Sequence, residues 1–370
     1  MIKETRLIDS FIEMVKIPSP SLNERGIGDY LLKALKELDL EVVEDDAGKK
    51  VNGNCGNITA LFKGNGKRKI LFSAHMDTVI PCEKINPIIE DGIIKTDGTS
   101  ILGGDDKSGI AAMLEAVKVI KENNYDHPDV ILAFSIAEEI GLLGASHFNI
   151  EKYSPDFGFI LDSSGKPGTA VTKAPSSIKG ELKIIGKAAH AGIAPETGIN
   201  ALYVASHAIS KMKLGRIDSE TTSNIGIVKG GEAGNIVMPE VSMKYEARSF
   251  SKEKIDDFVA ETNEIFEKTA KEFGANFVNT VENGYTGFHI KKGSEILATV
   301  EKACNNIGLP YKEQSSGGGS DANVYNEKGF ISVNIATGMF KVHTTDEMIE
   351  IKDIVDTCKL IIEMIKEFNK

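Results

Sequence analysis

Apolar residues recur at helical spacing in two stretches of the first half of the chain. Over residues 26–40, Ile27, Tyr30, Leu31, Leu35 and Leu38 share a face; over residues 107–121, Ile110, Met113, Leu114, Val117 and Ile120 do the same. Around them lie short β-rich runs at 57–62 and 69–74, and apolar runs of strand length at 130–136 and 157–161. A continuous apolar strand is expected where a sheet is covered on both faces. Strands alternating with helices in this way predict an α/β domain with a mostly parallel sheet flanked by helices.

The pattern changes near Pro175. Residues 181–186 alternate like a half-buried strand, 200–212 read as a helix, 223–229 and 241–249 as strands, 251–273 as a long helix and 276–282 as another strand. This β-α-β-β-α-β order is that of a ferredoxin-like α+β unit. Helical spacing returns at 294–306, strands are expected near Tyr311 and Ile331, and a helix from Ile351 closes the chain. The expected organisation is a discontinuous α/β domain, residues 1–176 and 289–370, into which residues 177–288 are inserted as a separate domain.

Composition narrows the classes. The 370 residues are 41% hydrophobic and 26% charged, a globular composition that excludes a disordered acidic chain. Asp and Glu number 54 against 43 Lys and Arg, and a net charge of −11 argues against a nucleic-acid partner. Cys55, Cys82, Cys304 and Cys358 lie far apart with no CxxC pair, as free thiols of a reducing cytoplasm do. Lys3, Glu4, Arg6, Asp9 and Glu13 interrupt the first apolar stretch, giving an amphipathic helix and not a signal peptide. No apolar run approaches the roughly 20 residues of a membrane span. A soluble, cytoplasmic protein without a membrane partner is expected.

Candidate chemistry sits where strands end. His75 and Asp77, two apart in SAHMDTV, can point the same way on an extended chain, although a strand-end histidine is more often structural. Asp105 and Asp106, in GGDDKSG before a helix, could be no more than first-turn acids; the flanking glycines also permit unusual backbone geometry and a carboxylate that bridges cations. Glu138 and Glu139 follow a buried strand, and adjacent carboxylates there are costly unless a cation holds one. One could then bind metal while its neighbour handles protons. Asp162 ends another buried strand, and His343 lies in a polar loop before the last helix. Together His75, Asp105, Glu139, Asp162 and His343 form a donor set suited to zinc, with cobalt or manganese as further candidates.

In combination and order, the segments SAHMDTV, LGGDDKSGIAAMLEA, AEEIGLLGA, LDSSG, GKAAHAGIAPETGINA and VHTTDE resemble the co-catalytic zinc metallopeptidases. That family includes peptidase T, aminoacylase and glutamate carboxypeptidase, and the match is to its peptidase T-like branch over nearly the whole chain. The resemblance implies a catalytic domain (1–176 and 289–370) and an inserted ferredoxin-like lid and dimerisation domain (177–288). It implies two zinc ions per subunit. Asp105 would bridge them, with His75 and Asp162 completing one site and Glu139 and His343 the other. Asp77 would orient His75 through its other ring nitrogen. Glu138 would be the general base that takes a proton from a water held between the metals and returns it to the leaving amine. His190 would stabilise the oxyanion. Asn235, Arg248, Gly318 and Gly319 match substrate-contact positions; a surface ion pair is the simpler reading of Arg248, and an ordinary flexible loop that of residues 315–321. The implied assembly is a homodimer through the lid, acting on small peptides or acyl-amino acids.

Aspartate at position 162 goes with aminopeptidases and dipeptidases of the family more than with carboxypeptidases. Peptidase T itself resembles RGGTD where this chain has Gly317-Gly318-Gly319-Ser320-Asp321, so one guanidinium that could clamp a substrate carboxylate is replaced by Gly317. Tripeptide aminopeptidase activity is the expectation. Deacylation of N-acyl amino acids on the same centre is the alternative, and a non-catalytic binding protein the further one.

Overall fold

The computed structural model describes residues 1–369, and the chain divides into two compact units. The first comprises Met1–Lys173, His289–Ser316 and the chain from Ser320 onward; the second comprises Ala174–Phe288 and Gly317–Gly319.

The first unit is built on a sheet whose centre is the strand Lys69–His75. It pairs in parallel with Asp129–Ser135 on one side and Phe157–Ser164 on the other. Ser332–Phe340 extends the parallel block beyond Phe157–Ser164. These strands are buried almost throughout, as their apolar runs require. The flanks are antiparallel: Ile58–Phe62 and Glu41–Glu44 on one side, Met348–Glu350, Ile93–Lys95 and Ile88–Glu90 on the other. The parallel character read from the sequence therefore describes the centre of the sheet. Glu41–Glu44 and Ile88–Glu90 are short and at least partly exposed, so they lack the apolar run that betrays a covered strand.

The helix Gly104–Asn123 is buried over nearly its whole surface. It packs on the sheet and against the helices Glu4–Val15 and Ile351–Phe368, which accounts for its burial beyond the one apolar face. In the central block all strands run the same way, so their carboxyl ends share one edge. Open α/β sheets bind ligands at that edge.

The second unit is a five-stranded antiparallel sheet in the order Gly215–Arg216, Thr221–Gly230, Glu240–Ser249, Ser176–Ile185, Asn276–Tyr285. The helices Ala201–Ile209 and Lys252–Glu272 cover one face, around a core that includes Leu182, Val204, Met243, Tyr245 and Phe266. Gly215–Arg216 pairs only with Thr222 and Ser223, so the outer edge of the strand continues past its short neighbour. Ile227 and Val228 on that stretch are exposed.

Candidate metal centre

The carboxyl edge of the central sheet gathers the five candidate ligands into two groups. His75, Asp105 and Asp162 form one; Asp105, Glu139 and His343 form the other; within each, the donor atoms lie within 4.8 Å of one another. His75 is the last residue of the central strand, and Asp162 lies in the neighbouring strand Phe157–Ser164. Glu138 and Glu139 follow Asp129–Ser135, and His343 follows Ser332–Phe340. Asp105 stands at the head of the helix Gly104–Asn123 in a non-helical conformation (φ −82°, ψ 102°). Its Oδ1 lies 3.1 Å from His75 Nε2 and its Oδ2 3.2 Å from His343 Nε2. His343 Nε2 also lies 3.0 Å from a Glu139 carboxylate oxygen.

Asp77 shapes this cluster in a way the sequence did not specify. The His75 Nδ1 makes its shorter contact, 2.9 Å, with the Asp77 backbone carbonyl; the Asp77 carboxylate is 3.6 Å from the same nitrogen. The carboxylate instead accepts the backbone N–H of Glu138 at 2.9 Å, that of Glu139 at 3.2 Å and the Ser21 hydroxyl at 2.6 Å. It ties the glutamate turn to the strand that carries His75.

The charges interact strongly. Burial opposes ionisation of Asp105, but hydrogen bonds from His343 and His75 outweigh it and hold the carboxyl well below the usual range. Burial also opposes charge on His75, yet Asp105 and Asp77 raise its pKa well above the ordinary value. The hydrogen bonds to Asp105 and Glu139 raise His343 to about 10. Burial pushes Glu138 well above an ordinary glutamate, with the charge of Asp162 adding to it. Asp162 is raised the same way, first by burial.

The candidate substrate residues belong to the second unit. His190 is exposed, and its Nδ1 accepts the Gly192 N–H at 3.2 Å. Its neighbour Ala191 donates its N–H to the Asn235 carbonyl at 2.9 Å, which brings residues 190 and 235 side by side. Arg248 makes the ion pair expected of a strand arginine, Nε to Glu246 at 2.5 Å, and also donates to the Gly317 carbonyl at 3.3 Å. Gly319 packs so closely on Tyr285 that an added Cβ would come within 2.4 Å of the ring. Residues 315–321 are not all loop: Ser320 caps the helix Asp321–Glu327, and Asp321 is buried.

Three buried carboxylates near the cluster escaped the sequence reading. Glu24 accepts the N–H groups of Leu22 and Ala137 at 2.8 and 3.0 Å. Asp321 accepts the Ser135 hydroxyl at 2.5 Å, and burial raises it to about 6. Glu347 binds the turn before Asp105. The available signal for Glu347 was its position four residues after His343.

The chain is similar to known proteins over its whole length. A profile described as the peptidase dimerisation domain matches residues 172–274, and one described as peptidase family M28 matches residues 57–205. The aminopeptidase PepT of Bacillus cereus ATCC 10987 is 41% identical, with a TM-score of 0.91 and 100% of both chains covered. A tripeptidase of Staphylococcus aureus subsp. aureus Mu50 is 40% identical, with a TM-score of 0.94, over 99% of this chain and 98% of that one. Peptidase T of Clostridium perfringens is 27% identical over 411 residues, covering 97% of this chain and 98% of its own. Fold and relatives define a metallopeptidase. The chain belongs to the peptidase T family.

Proposed function

We propose that the protein is a two-metal aminopeptidase of short peptides that releases the N-terminal residue, with tripeptides as its principal substrates. The observation that carries this reading is Asp105, whose two oxygens face histidines of two different ligand groups. A carboxylate shared between two cations needs that disposition. The donors fit the ions. Each group offers one imidazole and two carboxylates, a set suited to zinc and able to take cobalt or manganese. Glu139 Oε1 is buried with no hydrogen-bond partner among the described residues, as befits an oxygen reserved for a cation.

When bound, two divalent cations would supply Lewis acidity and bring the pKa of water toward neutrality. His75 and Asp162 would hold one ion and Glu139 and His343 the other, with Asp105 available to both. Glu138 takes the proton of the attacking water on its carboxylate and returns it to the amine nitrogen as the C–N bond breaks. Burial already strengthens its hold on a proton. Asp77 fixes the turn from which Glu138 projects. His190 donates from its ring to the charge that develops on the scissile carbonyl oxygen. Arg248, Asn235, Gly318 and Gly319 bind the peptide, with the planar fork of Arg248 suited to its carboxylate end. Arg248 donates to the Gly317 carbonyl, so its guanidinium lies beside the loop where peptidase T resembles RGGTD. The subunit pairs through its second unit into a homodimer, along the edge that exposes Ile227 and Val228, and works in the cytoplasm.

Gly317 itself favours one second reading, deacylation of N-acyl amino acids on the same centre. A non-catalytic role is disfavoured by the presence of every ligand and of Glu138. The test is metal analysis of the purified protein, followed by dipeptides, tripeptides and acyl-amino acids with and without chelator. Tripeptides should be cleaved at the amino end, and only in the presence of metal. Full activity after complete metal removal would reject the reading, and preferred cleavage of acyl-amino acids would select the alternative.

A further inference from the structure

We infer that Glu347 is a positioning residue of the metal centre, whose carboxylate fixes the bridging Asp105 relative to His343. The inference rests on the two-metal reading above. Glu347 is 1% exposed, and its carboxylate accepts backbone N–H groups from one turn: Leu102 and Gly103 to Oε2, both at 2.8 Å, and Asp105 to Oε1 at 3.0 Å. Gly103 takes a left-handed conformation (φ 71°). Successive N–H groups around such a residue converge into a small anion-binding nest. Here the anion is a side chain of the protein. A Cβ on Gly104 would lie 3.1 Å from Glu347 Oε1, so glycine there lets the carboxylate sit close against the turn.

The other end of this connection is the His343 loop. The Glu347 N–H donates to the Thr344 carbonyl at 3.1 Å, a tight turn that begins next to His343, and His343 itself has φ of 63°. Residues 102–105 and 343–347 are more than two hundred positions apart in the chain, yet they supply the Asp105–His343 contact of 3.2 Å. The Glu347 carboxylate spans them as well, through the turn that precedes Asp105. It touches neither His75 nor any atom proposed to react, so its influence passes through Asp105. Because Asp105 belongs to both ligand groups, a displaced turn disturbs both ions.

The experiment compares the full chain with E347Q, E347A and E115Q. Glu115 is an equally buried carboxylate that pairs with Arg6 at 2.7 Å and lies outside both ligand groups. Zinc affinity is measured by competition with a chromophoric chelator, ligand geometry by the visible spectrum of the cobalt-loaded protein, and stability by melting of the metal-free form. E347Q and E347A should weaken retention of both ions by about 10- to 100-fold and shift the cobalt bands. E115Q should lower the melting temperature and leave affinity and spectrum unchanged. Should E347A fail to fold, the near-isosteric E347Q carries the test. Folded E347Q with wild-type affinity and cobalt spectrum overturns the inference, as does E115Q weakening metal binding as much as E347Q. A wild-type chain that binds no metal overturns the two-metal reading itself.

Discussion

The backbone N–H of Glu138 donates to Asp77 Oδ1 at 2.9 Å. Through this bond a carboxylate buried at 0% exposure sets the direction of the proposed base without touching its side chain. The same residue holds the His75 ring with its carbonyl, so the proposed base and the candidate ligand take their positions from one point. Preorganisation of this kind is inexpensive at the moment of reaction, because nothing has to rearrange.

Removing the base should separate chemistry from assembly. Glu138→Ala should lower kcat about 10²- to 10⁴-fold, the range of general acid–base catalysis, while fold and metal content persist. Turnover of a tripeptide, a thermal melt and elemental analysis on the same preparation decide it. A variant with wild-type turnover would remove Glu138 from the mechanism.

The ligand groups make distinct predictions for three alanines. His75→Ala and His343→Ala should each lose mainly one ion, and from different sites, whereas Asp105→Ala should lose both. Metal content after dialysis reads this directly. Two ions held by Asp105→Ala as tightly as by the wild type would show that the carboxylate is not shared.

Glu24 gives the metal-free protein a pH-dependent stability. Burial, with the charge of Asp77, raises its pKa from 4.5 to about 7. The folded state therefore holds a proton that the unfolded state has released. Its contribution is fully present below pH 4.5 and is lost as pH rises through about 7, by an amount on the order of 3 kcal/mol. Glu24→Gln keeps the acceptor for both N–H groups and cannot ionise. Denaturant melts between pH 4.5 and 8 should show the variant gaining on the wild type as pH rises. A constant difference across that range would contradict the shift.

If Arg248 receives the carboxylate end of the peptide, Arg248→Ala should raise KM about tenfold for a tripeptide with a free carboxylate, a loss of about 1.4 kcal/mol. The corresponding tripeptide amide should be little affected. Equal losses on both substrates would reduce Arg248 to its ion pair with Glu246.

A mixing experiment tests whether His190 serves the partner's site. Glu138→Ala and His190→Ala chains, each inactive, would be combined under conditions that allow subunit exchange. In a trans arrangement each mixed dimer has one intact site, and random exchange yields about half mixed dimers, so roughly a quarter of wild-type sites should return. No recovery after demonstrated exchange would mean that His190 serves its own subunit.

The legible parts of this molecule were those with local signals. Apolar runs revealed the central strands, and His75, Asp105, Glu139, Asp162 and His343 each stood in or beside a strand end or turn, weak signals singly that pointed to metal ligation only in combination. The missed strands have weaker patterns: Glu41–Glu44 is partly exposed, and Met348–Glu350 has only Ile349 fully buried. The helix Asp321–Glu327 was hidden by the glycines before it, since a glycine run gives no periodicity. Glu24, Asp321 and Glu347 were unreadable for a different reason. Their partners are N–H groups and hydroxyls of distant segments, at Ala137, Ser135 and residues 102–105, and no spacing along the chain encodes such a bond.

The second unit interrupts the first, and this orders the birth of the centre during translation. His75, Asp105 and Asp162 all precede the interruption, whereas His343 and the strand Ser332–Phe340 follow it. A ribosome that has passed Asp162 has supplied every residue of one ligand group and still owes the other its histidine. Chains terminated before His343 thus carry only one of the two candidate ligand groups, and both are complete only in chains that extend past His343.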